Sequence, residues 1–393
     1  ANPFPVVTSM QTVPVLMTVP NANSGKTRPA AGWPVVIFGH GFGSNRAYML
    51  AVADTAAAAG YAVIAIDAPL HGISADDPTF GLFHVSNTPF AGIANERTFD
   101  ADYWNNETGA FGPDGVMDAS GRSAINLANL QATRDILRQT EVDLSILALS
   151  VQNMSVDGDA SPDLDPFGIS LVSHSGGGFV AVPMAALEPF ITHVYLNATG
   201  GGIKRSFEAA SFGELYVQPF LSAFAGVEPG TPEYEQFLLA AQTVFDSADG
   251  INWAAEVVAR GIPVVHNQVI GDDTVPNLIT GAPLAGGEAL NRVLGLQSYS
   301  STQLNPDGLN GVARSLPPAV HSSLLVPSVL AVTIDMQGQM ASFIGSGGTA
   351  VVVGDPSLLA PTEPQPAAAP GDSSVKNSPG GNFGFKPARP GAE

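Results

Sequence analysis

A serine stands at the centre of residues 168–180, which read GISLVSHSGGGFV. Ile169 to Val172 is a short apolar run typical of a buried strand, and an apolar stretch of helical length follows the glycines. A strand, a sharp turn with Ser175 at its apex and a helix have the geometry of a nucleophile elbow. Ser173 and Gly177 satisfy the need for small residues two positions either side, although the first is usually glycine. A glycine-rich turn with an incidental serine is the alternative.

Acyl transfer by a serine needs a base that takes the hydroxyl proton and an acid that orients the base. After such an elbow these groups follow in the order serine, acid, histidine. Of seven histidines, only His321 lies beyond both Ser175 and the turn at Asp272 and Asp273. We therefore predict His321 as the base and Asp272 as the acid, with Asp273 as the alternative acid. An Asp-rich turn that only bonds its own backbone would also explain this stretch.

A loop after the apolar run Pro34 to Phe38 has the residue types of an oxyanion hole, which needs preorganised N–H donors. Its members are His40, Gly41, Phe42 and Gly43. We predict that the backbone N–H groups of Phe42 and Gly176 hold the oxyanion. His40 then supports the loop together with Gly41 and Gly43.

Apolar runs alternate with stretches of helical periodicity along the chain. The predicted strands lie at 12–19, 34–38, 61–66, 169–172, 192–196, 263–270 and 350–353. Helices are predicted near 48–59, 123–150, 179–187, 207–224, 232–245, 287–294 and 326–344. Buried strands that alternate with helices favour an α/β fold with a mostly parallel central sheet flanked by helices.

Four motifs together resemble those of α/β-hydrolase serine esterases and lipases, in particular the larger extracellular lipases secreted by bacteria. They are the HGF loop at 40–42, DAPLHG at 67–72, SHSGG at 173–177 and DDTVPN at 272–277. The resemblance extends from Val35 to about Val353. It implies the α/β-hydrolase fold and an acyl-enzyme mechanism on carboxylic esters.

The composition divides the chain into one large domain and a tail. We expect an α/β-hydrolase domain over 1–360, with insertions at about 73–121 and 200–254. The second insertion carries several Phe and Leu residues. We therefore predict that it forms a cap or lid that contacts acyl chains or a hydrophobic polyester. Packing of the insertion onto the sheet is the alternative. Residues 361–393 are rich in Pro, Ala and Gly, which predicts a flexible tail.

Charge and composition exclude several classes of function. Acidic residues outnumber basic ones 35 to 15, giving a net charge of −20, so a nucleic-acid partner is not expected. The chain has no cysteine for disulfides and no apolar run long enough to cross a membrane. Low charge content and a start without methionine favour a secreted or periplasmic protein whose signal peptide has been removed; a chain shortened at its start is the alternative. We expect no required cofactor and a small-molecule or lipid-like ester as substrate.

An acidic stretch before the elbow resembles the start of a calcium loop, with oxygen-bearing side chains at alternate positions. The candidate ligands are Asp157, Asp159, Ser161, Asp163 and Asp165. The loop lacks the glycine at its sixth position, and Gly168 stands where a bidentate glutamate belongs. A solvated acidic turn is the alternative. Two other functions are also compatible with the sequence: an amide-cleaving serine hydrolase, and a non-catalytic surface module on a hydrolase scaffold.

Overall fold

The apolar runs of the sequence form the strands of a central sheet. The computed structural model of the chain describes residues 6–158, 163–211 and 213–362, and these residues contain ten strands. They are β1 (Val15–Thr18), β2 (Trp33–Gly39), β3 (Ala62–Ile66), β4 (Leu164–His174), β5 (Ile191–Asn197), β6 (Val264–Val269), β7 (Gln297–Tyr299), β8 (Gln303–Leu304), β9 (Asn310–Ser315) and β10 (Ala350–Val351). Eight of them form one sheet in the order β1-β3-β2-β4-β5-β6-β9-β7, where β1 is antiparallel and the other neighbours are parallel. The predicted mostly parallel sheet is confirmed.

Helices cover both faces of this sheet. Those in the described residues are α1 (Leu50–Ala59), α2 (Leu130–Ser150), α3 (Gly177–Leu187), α4 (Ile203–Ala209), α5 (Gln218–Ala225), α6 (Pro232–Phe245), α7 (Ala254–Ala259), α8 (Gly287–Val293) and α9 (Leu330–Gly345). Side chains alternate along a strand, so Val35 and Ile37 of β2 pack in a core with α2, α3, α6 and α7. Val36 and Phe38 pack in the opposite core with α1 and α9. Burial on both faces explains why these strands read as continuous apolar runs.

The parallel strands bring the predicted functional loops to one edge of the sheet. β2, β4 and β6 are parallel members of this sheet, and each ends immediately before one of these loops. The loops carry Phe42, Ser175 and Asp272, respectively. His321 follows β9, which is parallel to β6. The carboxyl ends of parallel strands meet at one edge, where α/β proteins bind their ligands.

Several predicted boundaries were wrong. Helix α2 begins at Leu130 rather than near Ser123, because the Asn129 side chain accepts a hydrogen bond from Ala132 N and starts the helix there. The stretch predicted as one helix over 207–224 contains the end of α4, a π-helical turn at Gly213–Val217 and α5. Strand β10 is two residues shorter than the predicted strand at 350–353, and it pairs with β8 in a separate two-stranded sheet.

Two strands of the main sheet were not predicted. Strand β9 reads NGVARS, and only its central Val312 and Ala313 are apolar and buried. Strand β7 has three residues. Neither segment has the continuous apolar run that marks the other strands. The chain up to Pro361 forms one compact unit, while the predicted tail at 361–393 lies almost wholly outside the described residues.

Candidate active site

Ser175 lies on a sharp turn between β4 and α3. Its φ angle is +54°, in the left-handed region that costs a non-glycine residue about 1–3 kcal/mol. The turn is held by hydrogen bonds from Ser175 N to the carbonyl oxygen of Asn197 (2.9 Å) and from Gly178 N to Ser175 O (2.9 Å). Ser173, which stands in place of the usual glycine, pairs with Gly39 of β2, where an added Cβ atom would lie 3.4 Å from Ser173 Cβ. The elbow geometry thus forms with a serine at this position.

His321 and Asp272 form a hydrogen-bonded pair. His321 Nδ1 lies 2.7 Å from Asp272 Oδ2. The Asp272 side chain is 1% exposed and that of His321 is 18% exposed. The other carboxylate oxygen, Oδ1, accepts hydrogen bonds from Thr274 N (2.9 Å) and Val275 N (3.1 Å). Three hydrogen bonds fix the Asp272 carboxylate, and His321 Nδ1 carries the proton that it donates.

Asp273, the alternative acid, does not reach His321. It is exposed, and its carboxylate lies 3.4 Å from the hydroxyl of the adjacent Thr274. Its backbone oxygen accepts a hydrogen bond from Ser211 N (2.8 Å). The structure therefore brings Asp272, and not Asp273, to the histidine.

Ser175 and His321 line one cavity of about 610 Å³. Both lie in the described part of the chain, and their side chains form no hydrogen bond with each other there. Hydrogen bonds between catalytic groups are often long or absent until substrate binds. A proton transfer between them therefore requires the two side chains to approach each other in the substrate complex.

The backbone of the 40–43 loop approaches Ser175 closely. A Cβ atom placed on Gly41 would lie 2.9 Å from Ser175 Cβ and 3.3 Å from Ser175 Oγ. A Cβ placed on Gly176 would lie 2.5 Å from Phe42 Cδ2 and 3.0 Å from Phe42 N. Neither Phe42 N nor Gly176 N donates a hydrogen bond to any residue that the structure describes. Two available N–H groups therefore lie beside Ser175, at the positive end of the α3 dipole.

His40 connects this loop to the turn that follows β3. Its Nδ1 lies 2.9 Å from Gly41 O, and its Nε2 accepts a hydrogen bond from Ala68 N (3.0 Å). These partners require a neutral ring that carries its proton on Nδ1. Burial lowers the pKa of His40 and so favours that neutral form, although the nearby Asp67 charge opposes the shift. Gly43 follows with a φ of +77°, which closes the loop.

Two further histidines of the site were not predicted to contribute. His71 packs between His40 and Phe42, with ring centroids 5.1 and 5.9 Å away. Burial and, to a smaller extent, the charge of the neighbouring His40 lower the pKa of His71 to about 3. His174 lies 4.9 Å from His321 between ring centroids. Burial and the charge of His321 lower the pKa of His174 to about 3. Both rings are therefore neutral near pH 7.

Asn197 connects the elbow to the neighbouring strands. Its carbonyl oxygen accepts from Ser175 N, its side-chain oxygen lies 2.8 Å from His174 Nδ1, and its Nδ2 donates to Asn267 O (3.4 Å). Because the side-chain oxygen of Asn197 accepts, His174 must carry its proton on Nδ1. No sequence signal indicated this residue, since its role depends on the β4–β5 register that places His174 opposite Asn197.

Both insertions contribute to the cavity, and the first contributes more of its wall. The first supplies Trp104, Asn105, Asn106, Gly109, Ser120 and Gly121. The second, predicted as the cap, supplies Phe207 and Ala210. Other apolar residues of the second insertion, including Leu221 and Leu238, pack against one another in a separate small core. The apolar part of the cavity wall comprises Phe42, Tyr48, Trp104, Ile125, Phe179, Phe207, Ala210, Val275, Leu325 and Val326.

A buried charge network anchors the first insertion. Arg46, just before α1, forms an ion pair with Asp67 and donates to both oxygens of Glu96 at 2.7 and 2.8 Å. Glu96 also accepts hydrogen bonds from Ile73 N (3.1 Å) and Val85 N (2.9 Å). Burial alone would raise the pKa of Glu96, but the bonds and charge of Arg46 outweigh it and lower that pKa. The insertion is therefore fixed to the sheet edge next to the 40–43 loop.

Three of the five candidate calcium ligands, Asp157, Asp163 and Asp165, lie among the described residues. Asp159 and Ser161 lie outside those residues. Asp163 forms an ion pair with Arg28 and accepts a hydrogen bond from Val156 N (2.7 Å). Asp165 accepts from Phe167 N (2.9 Å), and Asp157 from the Ser155 hydroxyl (3.1 Å). Within the described ranges, no group of three or more His, Cys, Asp or Glu side chains could hold a metal ion. No helix in that part of the chain is long and apolar enough to span a membrane.

The sheet order, with Ser175 on the elbow between β4 and α3, defines the α/β-hydrolase fold. The family described as platelet-activating factor acetylhydrolase, isoform II, matches residues 6–73, which is under a fifth of the chain. That segment includes β1 to β3 and the 40–43 loop. No curated protein matches this chain at a significant level.

Solved structures that resemble this chain include three proteins of low sequence identity. An acetyl xylan esterase from Paenibacillus sp. R4 is 15% identical with a TM-score of 0.44, over 79% of this chain and 75% of that one. TT1662 from Thermus thermophilus is 16% identical with a TM-score of 0.42, over 82% and 91%. An acylaminoacyl peptidase from Pyrococcus horikoshii is 13% identical with a TM-score of 0.43, over 84% of this chain and 38% of that one. At these scores the three bear on neither the activity nor the substrate of this chain.

Proposed function

We propose that the protein is a serine hydrolase that cleaves carboxylic esters through an acyl-enzyme intermediate. One observation carries the proposal: Ser175, held in a left-handed conformation at the elbow, lines the same cavity as His321, which is bonded to the buried Asp272. A turn with only a structural role has no need of a strained serine beside a histidine–carboxylate pair.

Each residue has a defined role in the proposed reaction. Ser175 Oγ attacks the ester carbonyl while His321 takes its proton, and the Asp272 carboxylate stabilises the imidazolium that forms. The negative charge on the carbonyl oxygen is held by the N–H groups of Phe42 and Gly176, each contributing roughly 3 kcal/mol. The protonated His321 then donates to the departing alcohol, which leaves an ester on Ser175. A water molecule, deprotonated by His321, hydrolyses that ester and releases the acid. No cofactor enters these steps.

The cavity supports an ester with a substantial apolar part. Its volume of about 610 Å³ falls within the range of small-molecule sites, and aromatic and aliphatic side chains form much of its wall. Small-molecule esters, lipid-like esters and the chain ends of a hydrophobic polyester share this chemistry. The low charge content of 13% also favours a secreted or periplasmic location, which cell fractionation tests.

Hydrolysis of p-nitrophenyl esters from acetate to palmitate tests the proposal, with the Ser175→Ala variant as control. We expect turnover in the wild type and its loss in the variant, since the variant has no nucleophile. The chain-length optimum distinguishes an esterase from a lipase. Full activity in Ser175→Ala would contradict the proposal.

Matched amide substrates separate the remaining possibilities. An activity confined to p-nitroanilides would identify an amide-cleaving hydrolase with the same triad. No turnover of either substrate class would favour a non-catalytic surface module.

A further inference from the structure

His174 immediately precedes the nucleophile, and its ring borders the same cavity. It lines the cavity of about 610 Å³ together with Ser175 and His321, and 6% of the residue is exposed. The ring centroids of His174 and His321 are 4.9 Å apart, with an angle of 53° between the ring planes. None of the steps of the proposed hydrolysis uses His174. A polar ring this close to both reacting side chains can nevertheless contact a molecule that reacts there.

Asn197 determines which nitrogen of His174 is a hydrogen-bond acceptor. The side-chain amide of Asn197 donates from Nδ2 to Asn267 O (3.4 Å), so its oxygen is the atom that lies 2.8 Å from His174 Nδ1. Nδ1 therefore carries the ring proton, and Nε2 presents a lone pair. Since burial is the main cause that lowers the pKa of His174 to about 3, the ring stays neutral and the lone pair stays available.

The lone pair on His174 Nε2 is directed at the cavity. Nε2 has no hydrogen-bond partner in the part of the chain that the structure describes, and it is not among the fully buried polar atoms that lack one. Nδ1 faces Asn197, which is 0% exposed, so the edge of the ring that carries Nε2 borders the cavity. A molecule that binds to this nitrogen must supply an O–H or N–H group.

The second half of the proposed reaction brings such a group to this position. When water attacks the acyl carbon, one of its protons passes to His321 and its second hydrogen stays on the oxygen. With hydrogen bonds of about 2.8 Å, one water spans two acceptors that are about 4.5 Å apart. This span is comparable to the 4.9 Å between the centroids of the two rings. Two acceptors that hold both hydrogens fix the direction of the attacking lone pair, which favours reaction.

We propose that His174 is a further catalytic residue, which accepts a hydrogen bond from the hydrolytic water through Nε2 and so acts in deacylation rather than in acylation. This inference rests on the proposed ester hydrolysis. The water oxygen forms a bond to the acyl carbon while His321 takes one proton. The bond from that carbon to Ser175 Oγ then breaks, and His321 returns the proton to Oγ. The second hydrogen of the water leaves on the released acid, and His174 takes no proton.

Pre-steady-state hydrolysis of p-nitrophenyl butyrate separates the two half-reactions. The initial burst of p-nitrophenolate reports acylation, and the decay of the acyl-enzyme in intact-mass spectra reports deacylation. His174→Phe keeps an aromatic ring but removes the acceptor. We expect its deacylation to be about 10-fold slower, as for the loss of one hydrogen bond, and its acylation to stay within about threefold of wild type. In the steady state, kcat and KM then fall together.

Because His321 is the base in both half-reactions, a structural role of His174 would affect both of them. An equal or larger loss in acylation would therefore overturn the proposal, and so would an unchanged deacylation rate. His174→Gln is a second variant, since its amide oxygen can take the place of Nε2 as an acceptor. It should deacylate faster than His174→Phe, and slower deacylation than in that variant would contradict the proposed hydrogen bond.

His266→Phe is the matched control. His266 is a buried histidine whose Nδ1 lies 2.6 Å from Asn291 Oδ1, so its replacement also leaves an asparagine without its partner. His266 is not one of the residues that line the cavity. We expect both variants to lose thermal stability, while only His174→Phe changes the ratio of deacylation to acylation. The same change of that ratio in both variants would overturn the proposal.

Competition between water and methanol tests the role of the second hydrogen. Methanol has one O–H group, which goes to His321, so its attack on the acyl-enzyme needs no acceptor on His174. The products, methyl butyrate and butyric acid, are quantified by gas chromatography. We expect the ratio of methyl ester to acid to be about 10-fold higher in His174→Phe than in wild type. A variant that forms no more methyl ester relative to acid than wild type would overturn the proposal. No hydrolysis by the folded wild type would instead overturn the proposed function, and this inference with it.

Discussion

Replacing Asp272 with asparagine should remove most of the activity while the site stays folded. The Oδ1 atom of Asp272 accepts hydrogen bonds from two backbone N–H groups, and Oδ2 lies 2.7 Å from His321 Nδ1. An asparagine keeps both backbone bonds only if its carbonyl oxygen occupies the Oδ1 position. Its NH₂ group then faces His321 Nδ1, which must become an acceptor. The ring proton moves to Nε2, and the nitrogen that should take the proton from Ser175 is no longer a base.

The expected loss in kcat is about 10⁴-fold, the size of the effect of the same change in a serine protease triad. This corresponds to about 5.5 kcal/mol in the activation barrier. The assay is steady-state hydrolysis of p-nitrophenyl butyrate near pH 8. Asp273→Asn is the matched control and should stay within about twofold of wild type, because the Asp273 carboxylate is exposed and does not contact His321.

Thermal unfolding of both variants distinguishes a catalytic effect from loss of the fold. A folded Asp272→Asn variant with near wild-type kcat would refute the tautomer argument. A larger loss in Asp273→Asn than in Asp272→Asn would show that the wrong carboxylate has been assigned.

Three further outcomes follow from the geometry. Gly176→Ala should lower kcat about 10²- to 10³-fold with little change in KM, because the new Cβ would lie 2.5 Å from the Phe42 ring and displace one oxyanion donor; an unchanged kcat would contradict this role. Acidification from about pH 7 to 5 should reduce the free energy of unfolding measured in guanidinium chloride. The pKa of His71 and of His174 is about 3 in the folded chain and about 6.5 in the unfolded chain, so between these values the unfolded state binds more protons. Each of these two histidines lowers the free energy of unfolding by about 1.4 kcal/mol for every pH unit of acidification between the two pKa values. A free energy of unfolding that does not change with pH would argue against burial of the two rings in the neutral form. Glu96→Gln should destabilise the protein by about 3 kcal/mol or more by leaving its buried arginine partner incompletely neutralised, and a denaturation midpoint equal to that of wild type would contradict that network.

The sequence predicted the parts of this fold that depend on local pattern. Continuous apolar runs located most of the strands because parallel strands are buried on both faces. The small residues around Ser175 identified it as a candidate nucleophile, and the chain order identified Asp272 and His321 as its candidate partners. The fold brings all three residues to one edge of the sheet. Strand β9 escaped prediction because polar residues interrupt its short buried segment.

The parts that escaped prediction depend on contacts between distant segments. Asn197 holds the elbow through the register of β4 with β5, and Trp104 stacks on Arg122 across a long irregular insertion. The second insertion was predicted as the cap from its composition, yet part of its apolar surface packs in a small core of its own and part packs in the core on one face of the main sheet. Composition alone does not distinguish side chains that line a cavity from those that fill a local core.

Labelling with a fluorophosphonate tests the proposed nucleophile most directly. The probe reacts with an activated serine and stays attached, so intact-mass and peptide mass spectrometry locate the adduct. We expect one adduct per chain on the peptide containing Ser175, no adduct in Ser175→Ala, and much slower labelling in His321→Ala, which lacks the base. An adduct on another residue, or equal labelling of wild type and Ser175→Ala, would contradict the assignment of Ser175 as the nucleophile.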